Sequence, residues 1–199
     1  MRTTLIVLLA LFSTPLMGKT LWGGDTPSSK EAPSRIVKQG DDSWDLRSKR
    51  RVGIGFSAAG PLGFLGLNME LNFSPKWGAV AGFGGGRGYQ SYTFQAKRVL
   101  AGEWLAPYMA MGYSRWMSTR EGEVAPTTPG FLYDRFLTDA EKQSGNFSED
   151  LVFPAFGLQY LQLRGPWSGF SVFAEVLMLL DVEDFQTAPT GTLGMLYYF

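Results

Sequence analysis

The sequence predicts an all-β protein: one eight-stranded antiparallel up-and-down transmembrane β-barrel. Three observations carry that reading. An export-type segment opens the chain, and eight stretches with a two-residue hydrophobic period follow across residues 51–199. Beyond the opening segment, no run approaches the roughly 18 uninterrupted apolar residues of a helical span. A chain of this kind crosses a membrane only as a closed barrel, because open strand edges go unsatisfied in lipid.

Residues 1–18, MRTTLIVLLALFSTPLMG, have the layout of a signal peptide. Arg2 supplies the positive end, Leu5 to Phe12 the apolar stretch, and Pro15 and Gly18 the cleavage zone. The apolar stretch falls well short of the roughly 20 residues that span a bilayer, so cleavage is expected over retention as an anchor. The protein contains no Cys, which rules out lipoprotein processing. Residues 19–50 are rich in Pro, Ser, Gly and mixed charge with no sustained period, and read as a flexible periplasmic leader. Its last basic residues, Lys49, Arg50 and Arg51, read as a solvated edge before the first strand and not as a phosphate site.

The strands follow in order. In RVGIGFSA, Val52, Ile54 and Phe56 alternate with Gly53, Gly55 and Ser57. In FLGLNMELNF, Leu65, Leu67, Met69, Leu71 and Phe73 alternate with Gly66, Asn68, Glu70 and Asn72, the strongest strand signal in the chain. Six more candidates are Trp77 to Gly88, Tyr89 to Leu100, Ala106 to Met117, Leu151 to Leu163, Gly169 to Leu180 and Thr190 to Phe199. An even count puts both ends of the barrel on one side of the membrane.

Connections sort by length. Ser74-Pro75-Lys76, Gly102-Glu103-Trp104 and Gly165-Pro166-Trp167-Ser168 suit a tight periplasmic rim. The links after the fifth and seventh strands are longer and more polar, while Gly60-Pro61-Leu62-Gly63 and the Gly-rich third outer link are short. Short links there predict a barrel mouth only partly covered. Residues 118–150 form the long outer loop, a length that marks functional or disordered segments, with a short helical stretch allowed over Phe131 to Lys142.

A soluble lipocalin-like barrel, with its apolar face inward, is the competing fold. The face carrying Gly53, Gly55, Gly66, Asn68, Glu70 and Asn72 has too little volume and too much polarity to fill such a core. Trp77, Trp104, Tyr108, Trp116, Tyr133, Trp167, Tyr197 and Tyr198 recur near strand ends, where an interfacial aromatic girdle is expected.

The final strand, TGTLGMLYYF, places Leu193, Met195, Tyr197 and Phe199 on one face and stops at Phe199. A last strand with a terminal Phe and apolar or aromatic residues at every second position resembles the outer-membrane assembly signal. That signal is read by the barrel assembly machinery. With the export segment, it makes residues 51–199 similar in layout to the small OmpA-, OmpX- and OmpW-type barrels. The resemblance implies a Gram-negative outer membrane, with lipids and lipopolysaccharide as surroundings.

Composition removes chemistry. With neither Cys nor His, disulfides, thiolate nucleophiles, Cys-ligated zinc and the commonest general base are all absent. The barrel enzymes of the resembled class generally depend on His, so their mechanisms do not carry over. Lys plus Arg equals Asp plus Glu at 18 each, leaving no net charge to draw the chain to nucleic acid. The run Gly82 to Gly88, GFGGGRG, fails both the dinucleotide fingerprint and the phosphate-loop pattern, and reads as a Gly-rich strand wall and turn. No cofactor or metal is expected.

The candidate site is the row facing the lumen: Asn68, Glu70, Asn72, Gln95, Lys97 and Glu175. An eight-stranded barrel is only wide enough for side chains to fill it, so charges inside must pair. Lys97 is expected between Glu70 and Glu175 as a polar plug. Arg98 and Arg115 share the lipid-facing parity near strand ends and read as snorkelling cations, a lipopolysaccharide-phosphate contact being the alternative. Glu121, Glu123, Glu149, Asp150, Asp181, Glu183 and Asp184 read as solvated outer-loop charge, with shared divalent cations as the alternative. Two functions stay open: a non-enzymatic structural or surface-interacting barrel contacting a ligand through 118–150, or a narrow passage for small or apolar solutes.

Overall fold

The computed structural model describes residues 42–119 and 132–199. The chain divides into two units, Met1–Val37 and Lys38–Phe199. The first, with the expected signal peptide, lies outside the described residues; the barrel belongs to the second.

Eight strands form a closed antiparallel barrel in sequence order. They are β1 (Val52–Ala58), β2 (Leu65–Asn72), β3 (Trp77–Gly86), β4 (Tyr89–Val99), β5 (Leu105–Ser118), β6 (Ser148–Leu161), β7 (Phe170–Asp181) and β8 (Thr187–Tyr198). Closure is made by β1 against β8, from Gly53 opposite Tyr198 to Ala58 opposite Leu193. Every strand edge is thereby paired. Each predicted strand has its counterpart, because a period of two survives in the three-dimensional wall. Along β2, Leu65, Leu67, Met69 and Leu71 are about half exposed on the outside, while Gly66, Asn68, Glu70 and Asn72 are buried inside.

The strands lengthen around the barrel: β1 has 7 residues, β5 and β6 have 14 each. The loop-end rim is therefore low at β1–β3 and high at β5–β6. Longer strands also shorten two links. The expected long loop begins after Ser118 and ends before Ser148, and the β7–β8 link is only residues 182–186. Where the long loop is described, Leu132–Phe136 makes a π-helical turn and α2 (Asp139–Ser144) follows. In α2, the Thr138 hydroxyl accepts from the Glu141 backbone, the Glu141 carboxylate accepts from Thr138 N, and Gly145 closes the helix in the left-handed region.

One expectation fails at its boundary. The leader does not run featureless to residue 50, because Ser43–Lys49 forms α1 at the end carrying the short turns. Local signals for it are modest. The Asp42 side chain accepts from Trp44 N at 2.9 Å, and Asp45 pairs with Lys49 four residues on at 2.8 Å. Seven residues are too few to hold a helix in water, so α1 owes its order to what its Arg47 reaches.

Candidate functional site

The lumen divides into a polar half at the turn end and an apolar half at the loop end. The polar half is built around Glu70, whose side chain is 1% exposed. Lys97 Nζ lies 2.9 Å from one of its carboxylate oxygens and Arg47 Nη2 lies 2.8 Å from the other. Lys97 also donates to Gln159 Oε1 at 2.9 Å and sits 4.1 Å from the Tyr108 ring centroid. Arg47 donates to the same Gln159 oxygen at 3.3 Å, to Pro75 O at 3.3 Å, and to Asn72 Oδ1. Gln159 Nε2 in turn donates to Tyr198 Oη and Ser171 Oγ, each at 2.7 Å. The contacts form a ring, Arg47–Glu70–Lys97–Gln159 and back to Arg47. Burial alone lowers the pKa of Arg47, but the neighbouring Glu70 carboxylate contributes to holding it above its ordinary value.

All six expected lumen residues are buried on the inner wall. Their grouping differs from the expected one in two respects. Glu175 accepts from Tyr108 Oη at 2.8 Å and from Gln95 Nε2 at 3.2 Å, while the second partner of Lys97 is Gln159. The second cation on Glu70 is Arg47, which arrives from α1 and not from the wall. Two cations and two carboxylates are thus enclosed together, and the charges of the network balance.

At the loop end, the short β1–β2 link folds inward as a 3₁₀ turn, Gly60–Leu62, instead of leaving the mouth open. Pro61 O accepts from Trp116 Nε1 at 2.8 Å and Ser114 Oγ at 2.7 Å, and Leu62 O accepts from Ser91 Oγ at 2.9 Å. The glycine wall makes this fit. A Cβ on Gly66 or Gly82 would stand 2.7 or 2.6 Å from Leu62 Cδ1, and one on Gly84 2.6 Å from Leu62 O. Tyr89 stacks on Trp116 at 4.9 Å, and Phe136, Leu137 and Phe147 of the long loop join the same buried cluster with Leu151 and Leu179. Between the two halves remains a cavity of about 30 Å³, lined in part by Ser57, Asn68, Gln95, Lys97, Glu175 and Thr192. The hydroxyls of Ser57 and Thr192 are buried without a protein partner, and the cavity has room for about two waters to serve them.

The girdle needs correcting. Tyr108, Trp116 and Tyr198 are at most 1% exposed and point inward, because they fall on the lumen parity. Trp104 and Trp167 are exposed on the outer surface, joined by Tyr92, Tyr113 and Tyr160. The side chain of Tyr133 lies outside the described residues. Arg115 meets Asp150 at 3.6 Å and donates to Ser148 Oγ at 3.0 Å. Arg98 lies 5.4 Å from the Trp77 ring. Among the outer acids, Glu149 and Asp181 are buried, while Glu121 and Glu123 fall outside the described residues. No group of acidic residues among the described residues is arranged to hold a metal ion. Leu193, Met195 and Phe199 are exposed on the outer row, and Tyr197 is half-buried with its ring edge-on to Phe199 at 5.1 Å.

Arg47, Gln159, Tyr108 and Tyr198 belong to the site and were not in the expected set. The only sequence signal for Gln159 is that it is a polar residue set between Leu158 and Tyr160, which face outward. Arg47 carried none beyond the Asp42 cap.

No family model matches the chain, and no curated protein matches it. Its backbone is similar to solved barrels. The N-terminal β-barrel domain of Pseudomonas aeruginosa OprF aligns over 75% of this chain and 98% of that one, with 14% identity and a TM-score of 0.51. The crystal structure of Yersinia pestis Ail, the attachment invasion locus protein, aligns over 75% and 97%, with 19% identity and a TM-score of 0.37. Its backbone structure in a phospholipid nanodisc aligns over 74% and 97%, with 17% identity and the same TM-score. The OprF alignment bears on fold alone, and agrees with the eight-stranded closed topology.

Proposed function

We propose that the chain is a non-enzymatic integral protein of a Gram-negative outer membrane, sealed along its axis, with a structural or surface-interacting role. The observation that carries this reading is the doubly closed lumen. Arg47 and its ring block the turn end, the Gly60–Leu62 turn and the Phe136, Leu137 and Phe147 lid fill the loop end, and about 30 Å³ is left between. The outer wall supports the membrane setting. Ile54, Phe56, Leu67, Met69, Leu71, Phe94 and Val176 are all 48–69% exposed, an apolar surface that water does not tolerate. In this reading residues 1–18 direct export and are removed. The row Leu193, Met195, Tyr197 and Phe199 engages the assembly machinery, and lipids and lipopolysaccharide surround the wall. The element left to meet a surface ligand is the long loop.

The full-length protein, expressed with residues 1–18 and reconstituted in planar bilayers, is expected to give no steady ion current. Reproducible conductance or solute flux would replace this reading with a narrow passage protein. An intact mass matching a start at residue 19 in the outer-membrane fraction is expected for the export step.

A further inference from the structure

The outer wall is not evenly convex. On β2–β4 it carries an apolar groove of about 430 Å³. Its floor is Ala79, Ala81 and Ala96, with Ala79 in register between Leu71 and Ala96, and Ala81 between Met69 and Phe94. Leu71 and Phe73 wall one side and Phe94 the other. Small residues on the floor and large ones beside it make a trough running along the strands. Toward the turn end, Trp77 stands opposite Arg98.

Arg98 is the unusual group. Arg115, on the outer row of the neighbouring strand β5, is answered by Asp150 and Ser148. Arg98 has no carboxylate within ion-pairing distance among the described residues, and its contact is the Trp77 ring. Lys76, in the adjoining turn, packs its ammonium on the Trp44 ring of α1 at 4.8 Å and does not line the groove. Arg98 therefore stands, unanswered by acid among the described residues, at the turn end of an apolar trough. That pairing complements one ligand chemistry: an anionic head attached to a hydrocarbon chain.

We infer that the groove is a binding site for a phospholipid of the turn-side leaflet, one acyl chain lying on Ala79, Ala81 and Ala96 and the phosphate on Arg98. The inference rests on the membrane setting proposed for the barrel. It goes further by distinguishing this site from the rest of the wall, where lipid contact is unspecific. A phosphate diester accepts from the planar guanidinium at two oxygens, which a neutral diacylglycerol with the same chains cannot do.

The test uses the full chain reconstituted in vesicles of phosphatidylglycerol with a minor share of diacylglycerol carrying the same acyl chains. Flotation comes first, then native mass spectrometry after transfer to mild detergent. The wild type is expected to float and to retain one phosphatidylglycerol per chain. Ala81→Leu fills the trough with a lipid-compatible side chain and is expected to cut retention about tenfold, while Val176→Leu on β7 leaves it unchanged. Arg98→Gln is expected to abolish the preference for phosphatidylglycerol over diacylglycerol. Heat-resistant gel mobility confirms that each variant is folded. A floating wild type that retains no phospholipid overturns the site and leaves the membrane reading standing. A lipid-free dimer lost in Ala81→Leu overturns it in favour of a second copy of the chain. A chain that does not float overturns both.

Discussion

The two halves of the lumen are closed by opposite physics. At the turn end, Arg47, Glu70, Lys97 and Gln159 close a ring of ion pairs and hydrogen bonds in which each member satisfies two others. At the loop end, Trp116, Tyr89, Phe136, Leu137 and Phe147 close the mouth by packing. The difference governs how each half fails. A buried charge network fails abruptly, because losing one member strands its partners without water. An apolar lid fails gradually, because each side chain contributes its own area and its neighbours relax in part.

The sharpest way to break the comparison is at Glu70. Glu70→Gln leaves Arg47 and Lys97 facing each other in the lumen with no carboxylate between them. The expected loss is about 3–5 kcal/mol, the range for breaking a buried pair by removing one partner. Urea titration of the vesicle-reconstituted barrel, followed by heat-resistant gel mobility, reads it. Replacing all four charges at once, with Arg47→Met, Glu70→Leu, Lys97→Met and Glu175→Gln, is expected to recover most of that loss, since no charge of the network is then stranded. A quadruple variant as unstable as Glu70→Gln would place the energy in side-chain fit and not in charge pairing.

Arg47→Ala is expected to cost less. Glu70 keeps Lys97 at 2.9 Å, and what disappears is the helix anchor. The loss expected is about 1.5–3 kcal/mol, as for a hydrogen bond to a charged group. A second readout separates it from the first variant. With its reach into the lumen gone, α1 is expected to become a protease site, while bilayer recordings stay silent because the loop-end seal is intact. A steady current in Arg47→Ala would show that the loop end does not close the barrel by itself.

These variants touch what the sequence could and could not disclose. The alternation on β2 was legible because its two faces differ in kind, Leu67, Met69 and Leu71 against Gly66, Asn68 and Glu70. On β6 and β7 both faces are apolar, since Phe153, Leu151 and Leu179 turn inward beneath the lid while Phe156, Leu158 and Val176 turn outward. Period two then loses its contrast, and Gln159 passed unnoticed. Tyr108, Trp116 and Tyr198 were misplaced for a related reason: position near a strand end suggests a girdle, but parity decides which wall an aromatic joins. Helix α1 was invisible because its order is supplied by Glu70, Asn72 and Gln159, all distant in sequence. The inward Gly60–Leu62 turn was invisible because its acceptors are satisfied by Ser91, Ser114 and Trp116 from two other strands.

The apolar half is tested by Phe136→Ala. Phe136 is 2% exposed, yet it belongs to a connection that can open without unzipping a strand. The expectation is that residues 132–147 are cleaved about tenfold faster by protease, corresponding to about 1.4 kcal/mol of local opening. The global urea midpoint is expected to stay where it is. A large fall in that midpoint would mean that the lid is part of the cooperative barrel, and the contrast between the two halves would weaken accordingly.

The smallest expected effect has the opposite sign and lies in the turn that plugs the loop end. Ala59 sits at φ 63° and ψ −173°, a region that costs a residue with a Cβ about 1–3 kcal/mol. Its side chain is exposed, so removing it forfeits no packing. Ala59→Gly relieves the strain and adds only the extra freedom of glycine in the unfolded chain, about 0.5–1 kcal/mol, so a net gain of about 1 kcal/mol is expected. The neighbouring glycines behave oppositely. A Cβ on Gly60, at φ +71°, would collide with Thr192 Oγ1, and one on Gly63, at φ +81°, would collide with Tyr89 Oη. Gly60→Ala and Gly63→Ala are therefore expected to expel the turn and lower the urea midpoint, while Ala59→Gly raises it. If all three substitutions shift the midpoint the same way, the turn is not held inside the lumen, and the loop-end seal reduces to the aromatic lid.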